Sequence, residues 1–244
     1  SFKIPRKAKK SVKMKGISYR NLKAIDVQIP IGCVTCISGV SGSGKSSLTD
    51  IIEEVCNRGE SEFCASVSGN TYIKKVMRVN HQPIGKTARS TVISYLDIYK
   101  PIREVFAKTD AAKKLGLQSS DFSMNMSGGR CECCQGTGKQ KIELSYLPES
   151  YIICPECGGR RFHEDILSVT YKGYTINDIL DMNIHSLLSV FKDLESVYSV
   201  LCCMEEIGMG YVSLGQMSMT LSGGEAQRIK LAKYLGLTSK GGSL

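Results

Sequence analysis

The sequence predicts an α/β fold in which a strand–loop–helix core is interrupted by a cysteine-rich insert and followed by a helical region. Three observations carry that prediction. A β-branched run leads through a glycine loop into an amphipathic helix between residues 33 and 56. Two Cys-x2-Cys pairs lie among glycines between 131 and 159. Apolar residues then recur at helical spacing from 177 to 235.

The elements follow in order. Residues 24–29 alternate and 33–38 form a short β-branched run, with Pro30, Ile31 and Gly32 turning between them, so two strands are expected. Residues 46–56 place Leu48, Ile51, Ile52 and Val55 on one side of a helix. A strand is expected at 75–79, and a short helix at 101–108 with Pro101 in its first turn. Ile142, Leu144 and Tyr146 alternate as one arm of a hairpin. Lys172 and Gly173 turn between 167–171 and Tyr174, and helices are expected at 177–181, 184–193, 196–207 and 223–235. No internal repeat and no low-complexity tract is visible.

The 244 residues carry 32 Lys and Arg against 23 Asp and Glu, a net charge of +9. Nine of those cations and no acid fall in 1–25, so 1–19 is expected to be a basic leader or linker. A second basic concentration, 72–114, has ten cations against three acids. Such stretches attract polyanions by neutralising phosphates and releasing counterions, or else form solvated faces. No run approaches the ~18 apolar residues needed to cross a bilayer, and the first residues lack an apolar signal core. A membrane-spanning or secreted protein is thereby disfavoured, and a cytoplasmic location is expected. The 11 cysteines are odd in number and include two adjacent pairs, which suits reduced, partly metal-binding thiols better than a disulfide framework. The chain begins without Met and has no terminal element after 240, as a piece of something longer would.

Residues 39–46, Gly-Val-Ser-Gly-Ser-Gly-Lys-Ser, match the phosphate-loop pattern G-x-x-x-x-G-K-[ST] in full. The glycines let successive backbone N–H groups converge on phosphate oxygens, Lys45 reaches the β- and γ-phosphates, and the Ser46 hydroxyl ligates Mg²⁺. The positive end of the following helix strengthens the field. The candidates for holding ATP and Mg²⁺ are Gly39, Ser41, Gly42, Ser43, Gly44, Lys45, Ser46 and Ser47. A purely structural glycine turn is the competing reading; the strand before and helix after favour nucleotide.

Ser222, Gly223, Gly224 and Glu225 open the last helix. A hydroxyl and two glycine N–H groups at a helix start make a second anion site, while Ser222 with Glu225 three residues later is also a plain capping box. Paired with the phosphate loop, residues 221–225, Leu-Ser-Gly-Gly-Glu, resemble the signature of ABC-type ATPases. In those proteins this segment clamps the γ-phosphate held by the phosphate loop of the opposite nucleotide domain.

Cys131, Cys134, Cys154 and Cys157 give C-x2-C-x19-C-x2-C, with glycines close behind each pair. Four thiolates make a closed, tetrahedral Zn²⁺ site with no position left for catalysis. Competing readings are Cys133 displacing Cys131, His163 as a substitute ligand, a redox pair, or unligated core cysteines. The module has few apolar residues, so the metal is expected to supply most of its folding energy. Residues 121–171 hold five basic and seven acidic side chains, an average that does not favour phosphate, although Arg130, Lys139, Lys141, Arg160 and Arg161 could still line one face.

A phosphate loop, a four-cysteine module and an ABC signature in this order resemble the C-terminal nucleotide-binding half of the UvrA family, the damage-recognition subunits of the bacterial excision nuclease. The likeness runs from about Arg20 to Leu237. It also rests on Asn21-Leu-Lys23, Pro83-Ile-Gly-Lys-Thr87, Gly128-Gly-Arg-Cys131, Leu147-Pro148, Leu214-Gly-Gln216 and the continuation of the signature to Arg228. It implies a P-loop ABC-type ATPase core with an inserted four-cysteine zinc module and a helical signature region. The segments would be an ATP-binding core at 20–71, a basic signature-domain segment at 72–126, the zinc module at 127–165 and the signature region at 166–244. It further implies an ATP-controlled dimer that surveys double-stranded DNA in excision repair. The chain would pair with a second nucleotide-binding half and a second UvrA-like subunit, and a UvrB-like helicase subunit would dock through regions outside it.

Two departures qualify the resemblance. The family's Q-loop glutamine, which senses Mg²⁺ and the attacking water, is replaced by His81, and Gln82 takes its place only if the loop shifts by one residue. The Walker B strand and switch histidine should follow 241–244, so no catalytic residue is assigned within this chain. Alone it is expected to bind nucleotide weakly and hydrolyse it poorly. His81 also fits a UvrA paralogue serving drug self-protection, or a catalytically impaired ABC ATPase. The first cysteine pair resembles the zinc repeat of DnaJ-type chaperones too, a reading that leaves the nucleotide motifs unexplained.

Overall fold

The computed structural model describes residues 8–73, 76–80, 82–85, 87, 89–142 and 150–238. The chain divides into two compact units, Ser1–Arg78 and Val79–Ser243.

In the first unit β1 (Ser11–Tyr19) is the middle strand of an antiparallel sheet, between β2 (Leu22–Pro30) and β3 (Ser66–Ser68). Period-two alternation buries Val12, Met14 and Ile17 completely and leaves Lys13 and Lys15 outside. Gly16, at φ 62°, absorbs a register shift against β2; a Cβ there would stand 2.8 Å from that of Ala65. Ile51 and Val55 of α1 (Lys45–Arg58) close the core over Val12, Met14, Ile17 and Leu22. The stretch expected as a basic leader thus holds a core strand from Ser11 onward. Its lysines are the outer half of an alternation that the charge excess obscures.

Two expected strands do not form among the described residues. Residues 33–38 carry no strand assignment, and Val34 is fully exposed. A β-branched run becomes a buried strand only where neighbouring strands cover it. At 75–79, Lys75 lies outside the described residues and 76–79 make no ladder. Side chains of α1 hold this segment instead: the Val76 N–H donates to Asn57 Oδ1 at 3.0 Å, and Arg78 pairs with Asp50 at 2.5 Å and Glu53 at 3.3 Å.

The second unit is mainly helical. α2 (Val92–Tyr95), α3 (Tyr99–Ala107) and α4 (Asp110–Lys114) precede the cysteine module, whose hairpin pairs β4 (Lys139–Ile142) with β5 (Ser150–Ile153). Of the expected hairpin arm, Ile142 lies in β4, while Leu144 and Tyr146 fall outside the described residues. Next come α5 (Glu164–Leu167) and a hairpin of β6 (Thr170–Tyr171) and β7 (Tyr174–Thr175), turning at Lys172 and Gly173. The chain closes with α6 (Ile176–Asp181), α7 (Ile184–Val190), α8 (Glu195–Glu206) and α9 (Gly223–Thr238). Ile102, Phe106, Phe122, Ile176, Ile179, Leu187, Phe191, Leu201 and Ile229 form one continuous core. α7 stops short of 193 because Phe191 turns into that core and Asp193 pairs with Lys172 at 2.7 Å. α9 lies so close to α8 that a Cβ on Gly236 would be 3.0 Å from the Val200 Cα.

Candidate nucleotide and metal sites

The phosphate loop is built by its glycines. Gly39, Gly42 and Gly44 sit at φ 153°, 79° and 92°, where a side chain is strained, and a Cβ on Gly44 would meet Leu22 Cδ2 at 2.6 Å. The Asn21 amide donates to the Gly42 carbonyl, and the Ser43 N–H donates to Val40 O at 3.2 Å. Lys45 folds its ammonium back over the loop, donating to Gly39 O at 2.9 Å and Val40 O at 2.7 Å. α1 starts at Lys45 with no side-chain cap at Gly44 and no acid in its first turn. Its first N–H groups and positive dipole end therefore remain available to an anion. Ser41, Ser43 and Ser46 are exposed along this loop, while Ser47 is buried.

The second motif lies in the other compact unit, at the start of α9. The Ser222 N–H donates to Glu225 Oε2 at 2.7 Å and the Glu225 N–H donates to Ser222 Oγ at 3.3 Å, completing the capping box. Gly223 and Gly224 are exposed with nothing near a would-be Cβ. The Tyr211 hydroxyl donates to Glu225 Oε1, a partner that no local sequence signal reveals. That hydroxyl, then the Ser222 N–H and side chain, hold the Glu225 carboxyl below its usual range. A depressed carboxylate adds stability above its unfolded pKa of about 4.3, and that stability disappears as pH falls through the lower folded value. Thermal unfolding of wild type and Glu225→Gln should therefore differ at pH 7 and converge as pH falls below the folded value. A gap independent of pH would refute the assignment.

In the cysteine module the four sulfurs of Cys131, Cys134, Cys154 and Cys157 lie within 4.8 Å of one another, all buried. Cys131 and Cys154 Sγ are 4.0 Å apart and Cys134 and Cys157 Sγ 3.7 Å, close to the ~3.8 Å edge of a tetrahedron with ~2.3 Å Zn–S bonds. The two pairs are matching knuckles. Cys134 and Cys157 carbonyls accept from the Thr137 and Arg160 N–H groups, at 3.2 and 2.9 Å. Cys134 Sγ accepts from the Gly138 N–H at 3.3 Å, as Cys157 Sγ does from the Arg161 N–H at 3.4 Å. The Cys131 N–H donates to Arg161 O at 2.8 Å and the Cys154 N–H to Gly138 O at 3.0 Å, so each knuckle tethers the other. This is a short internal repeat that the sequence hides, because Arg161 at φ 68° stands where the first knuckle has Gly138 at φ 72°. Burial pushes the Cys154 thiol up, but backbone N–H groups of Cys157 and Glu156, together with the Cys133 and Cys157 thiols, outweigh it and bring it to about 7. Cys133 is exposed and takes a bond from Gln140 Nε2 at 3.0 Å, and neither it nor His163 joins the cluster.

The expected cationic surfaces are partly neutralised. Arg130, Arg160 and Arg161 pair with Glu132, Glu164 and Asp181. Within 72–114, Arg78 pairs with acids of α1 and Lys113 with Asp110, while Lys74, Lys75 and Lys86 fall outside the described residues. An open groove of about 460 Å³ lies between the loop before α2 and the first knuckle, lined by Arg89, Gln135, Thr137, Lys139, Gln140 and Lys141. Arg89 reaches the knuckle directly, donating to Gln135 Oε1. His81, at the Q-loop position, lies outside the described residues; Gln82 is exposed.

A phosphate loop opening a helix that packs on an antiparallel sheet, a signature-type helix start and a four-cysteine insert define the class as part of an ABC-type ATPase. Within it, the chain is similar to UvrABC system protein A. It is 41% identical to the Vibrio cholerae protein over 250 residues, 99% of this chain, and 40% identical to the Bacillus subtilis protein over 243 residues, 96% of it. The crystal structure of UvrA2 from Deinococcus radiodurans matches 96% of the chain with a TM-score of 0.83 at 38% identity. The chain spans 27% and 25% of the length of those two relatives and 29% of the UvrA2 chain. No family model matches it.

Proposed function

We propose that this chain is the part of a UvrA-like ABC ATPase that binds ATP·Mg²⁺ and DNA during nucleotide excision repair. The observation that carries the reading is identity near 40% along 96–99% of the chain, spanning the phosphate loop, the four cysteines and the signature together. Lys45 and the loop N–H groups hold the β- and γ-phosphates, and Ser46 supplies a Mg²⁺ ligand. Ser222 to Glu225 close over a nucleotide bound by the opposite half. The metal neutralises phosphate charge, and the residues of this chain contribute positioning, as in other P-loop ATPases.

The four cysteines hold a structural Zn²⁺ that fixes the two knuckles. This keeps Arg89, Lys139 and Lys141 side by side as a surface for the DNA backbone. A second UvrA-like subunit and a UvrB-like helicase subunit complete the cytoplasmic repair assembly. No helix among the described residues is long and apolar enough to cross a membrane.

The test is the affinity of the full-length parent protein for a duplex bearing one bulky adduct against the same duplex undamaged, with ATP and at fixed salt. Several-fold preference for the adduct is expected. Equal affinities would overturn lesion recognition.

A further inference from the structure

Lys230 lies two turns into α9 and is only 8% exposed. A lysine ammonium carries three donors and no acceptor, and burying it is costly unless each donor is satisfied. Here all three acceptors come from one short segment of chain: Nζ donates to Asn80 O at 2.9 Å, Asn80 Oδ1 at 2.7 Å and Gln82 O at 2.5 Å. Asn80 Oδ1 also accepts from the Gln82 N–H at 3.2 Å, so the side chain that meets the ammonium shapes the loop around it. Apart from this cation, residues 80 and 82 have no helical or strand assignment to hold them.

The far end of the same loop is tied to the segment leading into α9. The Ser218 N–H donates to Ser90 O at 2.7 Å, and the Val92 N–H donates to Gln216 O at 3.1 Å. The loop is thus stitched at its end to the chain before the signature and at its start to the helix that follows it. The Ser222 capping box and Lys230 occupy one continuous helix, and helices transmit displacement as rigid rods far better than loops do.

The geometry points to Lys230 as a positioning residue: its buried ammonium locks Asn80 and Gln82 to the signature helix, so the chain at these two residues and the signature shift as one element. This rests on the nucleotide reading above for its consequence, but the lock itself is present whether or not nucleotide binds. A lysine is suited to the task because its compact point charge can meet three oxygens of differing direction. An arginine's planar fork cannot reproduce that set, and a methionine of similar length makes no such bonds.

The experiment uses the full-length parent protein as wild type, Lys230→Met, Lys230→Arg and Asn80→Ala. Hydrogen–deuterium exchange is followed in peptides covering 79–85 and 223–236, with and without a non-hydrolysable ATP analogue and Mg²⁺. Without nucleotide, Lys230→Met is expected to raise exchange in 79–85 by ~10-fold while 223–236 stays protected, with Asn80→Ala in the same direction but weaker. With nucleotide, both peptides should change together in wild type and separately in Lys230→Met, and the Mg²⁺ concentration for half-maximal turnover should rise several-fold.

Unchanged exchange of 79–85 in Lys230→Met would overturn the lock, as would joint nucleotide responses that survive the substitution. If wild type fails to bind the analogue, the nucleotide reading falls while the nucleotide-free comparison still decides the lock. Should Lys230→Met fail to fold, Asn80→Ala, at an exposed position, decides the same question, and an Asn80→Ala loop that exchanges at the wild-type rate would count against the proposal.

Discussion

Cys154→Ser in the full-length protein is expected to abolish zinc binding at this module and to unfold residues around 127–163 while the rest of the second unit stays folded. Cys154 is completely buried, 4.0 Å from Cys131 across the cluster, and its N–H is one of the two bonds that tether the knuckles. The module has little else to hold it, since its hairpin leaves Ile152 46% and Ile153 66% exposed. Structural zinc contributes ~10–16 kcal/mol of apparent binding energy, more than such a hairpin can replace. Metal content by mass spectrometry should fall by about one zinc per chain, and protease should cut the module first. Cys133→Ser is the matching control and should keep its zinc, because Cys133 is exposed and outside the cluster. Retention of zinc by Cys154→Ser, or equal loss in both variants, would sink the ligand assignment.

The features legible in the sequence are those whose chemistry is local. The phosphate loop and capping box are each written in eight residues or fewer, and the structure forms the box as read, down to the reciprocal Ser222 and Glu225 bonds. The four cysteines declare themselves by spacing because each knuckle closes within its own turn. What stayed hidden depends on residues far apart. β1 could not be told from a basic leader, since Lys13 and Lys15 signal solvent as loudly as Val12 and Met14 signal core. The 33–38 run was legible as β-branched, but whether such a run is covered depends on strands elsewhere. Lys230 reaches Asn80 across 150 positions, and no periodicity within α9 distinguishes its buried cation from an exposed one.

Lys45→Met is expected to be the most damaging single change to nucleotide handling. In the full-length protein, ATP affinity should drop ~10–150-fold, the range for losing hydrogen bonds of about 1.5–3 kcal/mol to a charged partner. Turnover at this site should fall further, by ~10²–10³, as for other donors aimed at charge that develops in a transition state. The two losses separate because phosphate charge is already present in the ground state and is only redistributed during transfer. Lys45 also bonds the Gly39 and Val40 carbonyls, so part of any effect could come from a loosened loop. Those contacts are partly solvated, and the thermal midpoint should move only by a degree or two, which an affinity change of this size would far exceed. Lys45→Arg separates charge from geometry: it keeps the cation but not a compact ammonium, and should recover little turnover. Wild-type ATP affinity in Lys45→Met would mean that the loop is a structural turn after all. Its glycines would then serve only the close approach of Leu22 and the start of α1, as the 2.6 Å clearance at Gly44 already requires.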